Sequence, residues 1–202
     1  MIIRRNKAIK YITDAAKLIA PVIEDDILIG YEWLIEILKN SKYPDIQSEI
    51  EIARALYYVK SKNIDLAIES LKSFEKKDKK MMTLASTNLG FLYLLEGDLE
   101  NAEKYCDVAL KYDRFNAKAK VNKGNCQFHR NNFLKAKECY LEAIGVEADC
   151  VEALYNLAFV NKKINALSEA LTALDKLRTI LSNSPDVLFQ LASIYEMCER
   201  WN

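Results

Sequence analysis

Thr83-Leu-Ala-Ser-Thr-Asn-Leu-Gly90, Ala117-Lys-Ala-Lys-Val-Asn-Lys-Gly124 and Val151-Glu-Ala-Leu-Tyr-Asn-Leu-Ala158 are one pattern written three times, 34 residues apart. Each copy ends on a small residue, and Ala192 continues the count. A second small series, Ala102, Ala136 and Ala170, keeps the same step twelve residues further on. Two such series in one register mark an internal repeat whose units stack on their neighbours to share one core.

Let Thr83, Ala117, Val151 and Pro185 each be position 1. The residues ending the quoted copies then hold position 8, and Ala102, Ala136 and Ala170 hold position 20. Ala109, Ala143 and Leu177 follow at position 27. Small residues at 8 and 20 are what two closely crossing helices require, because larger side chains would overpack the contact. Gly97, Asn131 and Asn165 at position 15 suit the left-handed conformation that ends a helix. Leu99, Phe133, Leu167 and Trp201 at position 17 begin the second helix. Ser184 before Pro185 reads as an N-cap followed by proline at the first helical position.

Period and pattern together are those of the tetratricopeptide repeat. The expected fold is all-α, a superhelical solenoid of antiparallel helix pairs. Repeats are expected over 83–116, 117–150 and 151–184, with 185–202 as the first helix of a truncated repeat. A divergent copy covers 48–82, with Ala55 at position 8, Tyr58 at 11, Ala67 at 20 and Leu71 at 24. Ala67 to Ala102 is 35 residues, so one residue is inserted in the lysine-rich connection. That connection, Glu75-Lys-Lys-Asp-Lys-Lys80, reads as a solvated helix end. Residues 1–47 form an N-terminal helical cap or degenerate repeat, with helices over 4–19 and 25–39 punctuated by Pro21 and Pro44.

The pattern has departures. Ser86, Lys120, Leu154 and Leu188 replace the tryptophan usual at position 4, and Arg114, Ala148 and Ser182 the proline expected near position 32. Position 11 keeps tyrosine in Tyr93 and Tyr195 but holds Gln127 and Asn161 between them. In the last helix, Leu188, Leu191, Ala192 and Tyr195 await a partner, so the stretch reads as part of a longer array.

Lys and Arg number 29 and Asp and Glu 29, interspersed, so no basic footprint for nucleic acid exists. No apolar run approaches the ~18 residues of a membrane span. Arg4, Arg5, Lys7 and Lys10 precede any acid, as in an organellar presequence, but Asp14 interrupts and plain amphipathic helix follows. Cys106, Cys126, Cys139, Cys150 and Cys198 contain no Cys-x-x-Cys pair, which suits reduced thiols.

In this fold the first helices line a concave groove. Position 6 reads Asn88, Asn122, Asn156 and Gln190. A ladder of carboxamides suits an extended peptide, since each can donate to a backbone C=O and accept from an N–H; asparagine also simply tolerates a solvated helix face. Around it lie Tyr155 at position 5, Phe91, Asn125 and Phe159 at position 9, and Phe128 at position 12. These aromatics either contact an apolar partner surface or are half-covered by the next repeat. The clamp with which some repeats of this type hold chaperone tails needs lysine at position 5. Here that position is Thr87, Val121, Tyr155 and Phe189.

Nothing points to catalysis, a cofactor or a metal. His129 has no expected partner, and Cys126 three residues before it completes no metal set. Asp25-Asp26 and Glu49/Glu51 suit helix starts, and the five glycines include no phosphate-binding loop. The residues describe a partner-binding module and not an enzyme, although a recognition arm of a larger enzyme or a co-chaperone adaptor would carry similar repeats.

Several strings go beyond the generic repeat: Ala15-Ala-Lys-Leu-Ile-Ala-Pro-Val-Ile-Glu24, Gly30-Tyr-Glu-Trp33, Glu75-Lys-Lys-Asp78, Tyr112-Asp-Arg-Phe-Asn116, Asn122-Lys-Gly-Asn125, Glu152-Ala-Leu-Tyr-Asn156 and Val187-Leu-Phe-Gln-Leu-Ala-Ser-Ile-Tyr-Glu196. In this order and spacing they resemble the polaris family, the tetratricopeptide subunit of intraflagellar transport complex B. The resemblance implies a non-enzymatic scaffold needed for cilium or flagellum assembly. It further implies other subunits of that complex as partners, with an extended segment of a core scaffold subunit in the groove. The implied location is the cilium or flagellum and basal body, with a cytoplasmic pool.

Overall fold

A computed structural model describes residues 2–23, 26–39, 44–76 and 79–200, among which there are eleven α-helices and no strand. The chain divides into two compact units, Met1–Ala85 and Ser86–Asn202. In the first lie α1 (Ile2–Ile23), α2 (Ile27–Lys39), α3 (Pro44–Lys60), α4 (Ile64–Lys72) and a 3-10 turn (Ser73–Lys76). Helix α5 (Lys79–Glu96) contributes residues to both units. The second continues with α6 (Leu99–Tyr112), α7 (Ala117–His129), α8 (Phe133–Val146), α9 (Val151–Lys163), α10 (Leu167–Ile180) and α11 (Pro185–Arg200).

Each turn within a helix pair is built the same way. Lys62, Asn131 and Asn165 have φ near +60° and Gly97 has φ +80°, all at position 15. The next N–H then reaches back five residues: Asn63 to Tyr58 O at 2.9 Å, Asp98 to Tyr93 O at 2.9 Å, Asn132 to Gln127 O at 2.9 Å and Ala166 to Asn161 O at 2.8 Å. That is the Schellman arrangement, which satisfies a carbonyl the helix end would otherwise leave open. Lys62 was not anticipated at this position, because its residue type gives no left-handed signal. Asp98 also caps α6, accepting from Asn101 N at 3.0 Å. Hydrogen bonds from the Asn101 side chain and backbone hold its carboxyl below the usual carboxylate range.

The small-residue series sit where the helices meet. Ala55, Ala67, Ala102, Ala136, Ala170, Ala109, Ala143 and Leu177 are all fully buried. The reason for glycine at position 8 is, however, more specific than a crossing of small residues. A Cβ on Gly124 would lie 2.5 Å from the Tyr140 ring, and one on Gly90 would lie 2.8 Å from Cys106 Sγ. Both partners stand at position 24, so a side chain four residues beyond position 20 fills the space that glycine leaves. Ala192, with no following helix among the described residues, is exposed.

Unit by unit, consecutive helices pack together. In the first unit α1 packs on α2, α2 on α3 and α3 on α4, around a core that includes Ala20, Tyr31, Ile35, Ile46 and Ile50. A Cβ on Gly30 would lie 2.0 Å from the Ala20 carbonyl oxygen, so α1 and α2 approach backbone to backbone. In the second unit α6 packs on α7 and each later helix on the next, around a core that includes Tyr140, Leu154, Leu174, Leu177 and Ile194.

One helix boundary is corrected and two connections gain detail. Helix α1 runs two residues past Pro21, which falls in its last turn, where little helix remains to disrupt. Thr83 does not open its helix as Ala117, Val151 and Pro185 do theirs. Helix α5 starts at Lys79, and the Thr83 hydroxyl donates back to Lys79 O at 2.9 Å, as mid-helix threonines do. The lysine-rich connection is divided: Glu75 and Lys76 lie in the 3-10 turn, and Lys79 and Lys80 open α5. Its residues 77–78 lie outside the described residues, as does Trp201.

Three identical substitutions separate the forces. Gly145, in α8, has open space around it, so Gly145→Ala should raise stability by up to ~1 kcal/mol through helix propensity. Gly97 is equally open but left-handed, so Gly97→Ala should cost ~1–2 kcal/mol in backbone strain. Gly124→Ala should cost ~1–3 kcal/mol by overpacking against Tyr140, less the propensity it gains. Denaturant midpoints check all three; Gly124→Ala behaving like Gly145→Ala would remove the ring contact as the reason for glycine.

Candidate partner-binding groove

The groove in the second unit is lined by the first helices of successive repeats. A cavity of about 480 Å³ brings Asn88, Asn122 and Asn156 together with Phe91, Asn125 and Tyr155. A second, of about 370 Å³, shares Phe91, Asn125, Tyr155 and Asn156 and adds Phe128 and Phe159. Gln190 lines neither, lying instead in a small cleft with Tyr155, Lys162 and Ile194.

The carboxamides are not four equivalent rungs. Asn122 is buried, and its Nδ2 donates to Thr87 O of the preceding repeat at 3.1 Å. Asn156 Nδ2 donates at 2.9 Å to Asn125 Oδ1. That same oxygen accepts from the Tyr140 hydroxyl at 2.6 Å. Gln190 Oε1 accepts from Lys162 Nζ at 3.4 Å. Only the Asn88 carboxamide is uncommitted among the described residues. Donors at Asn122 and Asn156 therefore tie repeat to repeat, while their Oδ1 atoms take no hydrogen bond among the described residues. Sequence periodicity places these residues on one face but cannot say which half of each amide the neighbouring repeat takes.

The aromatic side chains divide between the two roles weighed from sequence. Phe128 is half-buried, its ring 5.4 Å from Phe133 and 5.7 Å from Phe159. Phe159 is covered on one side by that contact and has Lys163 Nζ 5.8 Å from its centroid. Phe91 remains 45% exposed, which makes it the principal apolar surface the first cavity offers. Burial pushes the Tyr140 phenol well above its usual range, so the hydroxyl stays a donor to Asn125.

His129 is exposed, with its ring 6.2 Å from that of its neighbour Phe128. Cys106 and Cys126 are fully buried. A hydrogen bond between them, with burial, pushes the Cys106 thiol up, and the same bond lowers that of Cys126. All five cysteines are free. Among the described residues no three His, Cys, Asp or Glu side chains are grouped to hold a metal, and no helix is long and apolar enough to cross a membrane.

Comparison with known proteins agrees with this architecture. Models described as tetratricopeptide repeat match residues 52–119 and 117–150. The human intraflagellar transport protein 88 homolog is 44% identical over 113 residues, covering 56% of this chain and 14% of that protein. Among solved structures, MamA superposes with a TM-score of 0.63 at 20% identity, covering 72% of this chain and 84% of MamA. The first tetratricopeptide domain of Spaghetti (RPAP3), bound to the HSP90 peptide SRMEEVD, gives 0.56 at 16% identity, covering 58% and 95%. The chain is an all-α tetratricopeptide-repeat solenoid, and its sequence resemblance to the polaris family is supported by the human relative.

Proposed function

We propose that this chain is a scaffold of the intraflagellar transport B complex, holding an extended segment of another subunit in its groove and supporting assembly of the cilium or flagellum. The observation that carries the binding mode is the single cavity joining Asn88, Asn122, Asn156, Phe91, Asn125 and Tyr155. The carboxamide oxygens accept backbone N–H groups along a segment, and Phe91 and Tyr155 cover its apolar side chains. The human relative, itself an intraflagellar transport protein, supplies the assembly. The repeat domain of Spaghetti holding a peptide shows that this architecture accommodates one. The role needs no catalysis and no cofactor. It places the protein at the cilium or flagellum and the basal body, with a cytoplasmic pool awaiting incorporation.

Asn122 is a poor residue with which to test the groove, because its amide also ties α7 to the preceding repeat. Asn88→Ala combined with Phe91→Ala and Tyr155→Ala leaves that tie intact. Each lost hydrogen bond should cost ~0.5–1.5 kcal/mol and each central aromatic about 2 kcal/mol. Co-purification of the other complex B subunits from ciliated cells should therefore fall more than a hundredfold, with the helical circular-dichroism signal retained. Full recovery of those subunits would remove the groove as the binding surface. Separately, the tagged protein should move in both directions along the axoneme. A diffuse signal in cells with intact cilia would overturn the transport reading while leaving a peptide-binding solenoid.

A further inference from the structure

The edge of the groove carries charges that no described residue neutralises. Position 2 of α7, α9 and α11 holds Lys118, Glu152 and Asp186, and all three line the 480 Å³ cavity. All are exposed and none forms an ion pair among the described residues. Other charges of the same unit are paired, as Lys123 is with Asp107 at 2.7 Å and Lys137 with Glu169. Glu152 accepts only a long contact from the Cys150 thiol, 3.8 Å from Sγ to Oε2.

Acids in a helix's first turn complement its dipole, which would account for Glu152 and Asp186 alone. It does not account for Lys118, a cation at the same place in α7, nor for all three facing one cavity. Asn122 lines the same cavity, its Nδ2 held by Thr87 O and its Oδ1 taking no hydrogen bond among the described residues.

We propose that the groove selects an extended segment of mixed charge, with an acidic residue opposite Lys118 and basic residues opposite Glu152 and Asp186. The inference rests on the groove reading above and adds the chemistry of the partner. Lys118, Glu152 and Asp186 follow one another on the first helices of three successive repeats. The charges on the segment therefore come in that same order, with apolar side chains between them turned toward Phe91 and Tyr155. Because one end of the row is cationic and the other anionic, the pattern also fixes the direction in which the segment runs. An acidic tail such as the SRMEEVD peptide held by Spaghetti would meet like charge at two of the three places.

The test is to pan a random dodecapeptide phage library against the 202-residue chain, against Glu152→Lys/Asp186→Lys, and against Asn88→Ala/Tyr155→Ala. Peptides selected by the native chain should carry one acid and two basic residues, with the acid at one end of the series. A synthetic copy of the best of them should bind at least tenfold more weakly to the charge-reversed chain, which should itself select acids at those two places. Glu152→Gln/Asp186→Asn, the milder change, should abolish the preference for basic residues without reversing it. Selected peptides that depend on Asn88 and Tyr155 but show no charge bias, or that bind the reversed chain equally well, would overturn the charge pattern and leave the groove standing. Peptides indifferent to both sets of substitutions, or no enrichment at all, would overturn the pattern and the groove reading together.

Discussion

The contact between position 8 and position 24 is the constraint on which the rest of the second unit depends. Tyr140 is 1% exposed and its ring occupies the space that a side chain on Gly124 would need. That approach holds α7 against α8 closely enough to bury Ala136 and Ala143 completely. The same packing sets the phenol hydroxyl beneath the groove, where it meets Asn125. The close pair thus sets the pitch of the repeat and the depth of its floor at once.

Much of the fold is written in residue types whose physical meaning is local. Gly97, Asn131 and Asn165 announce left-handed turns because few other residues adopt them without strain, and the 34-residue step then fixes which helix follows which. Where a position is filled by a residue with no such preference, the sequence is silent. Lys62 takes the same left-handed conformation only because the helices on either side of it demand it. The start of α5 was hidden for a related reason: its first residues belong to a lysine-rich run that carries no capping signal.

The groove was legible as a set of positions but not as a set of bonds. Periodicity alone puts Asn88, Asn122, Asn156 and Gln190 on one face of successive helices. It cannot show that Thr87 O takes one donor and Asn125 another, nor that Gln190 falls in a separate cleft. Those outcomes depend on the sideways offset between repeats, which is set by side chains from three helices together. The charges at position 2 were visible in the sequence, but their lack of partners became evident only once every neighbour was in place.

Asn125 Oδ1 receives one hydrogen bond from the core and one from the next repeat, Tyr140 on one side and Asn156 on the other. Interior and recognition surface therefore share an atom. Here a change of residue type deep in one repeat reaches the groove surface through a single oxygen, so selection on that surface extends into the interior.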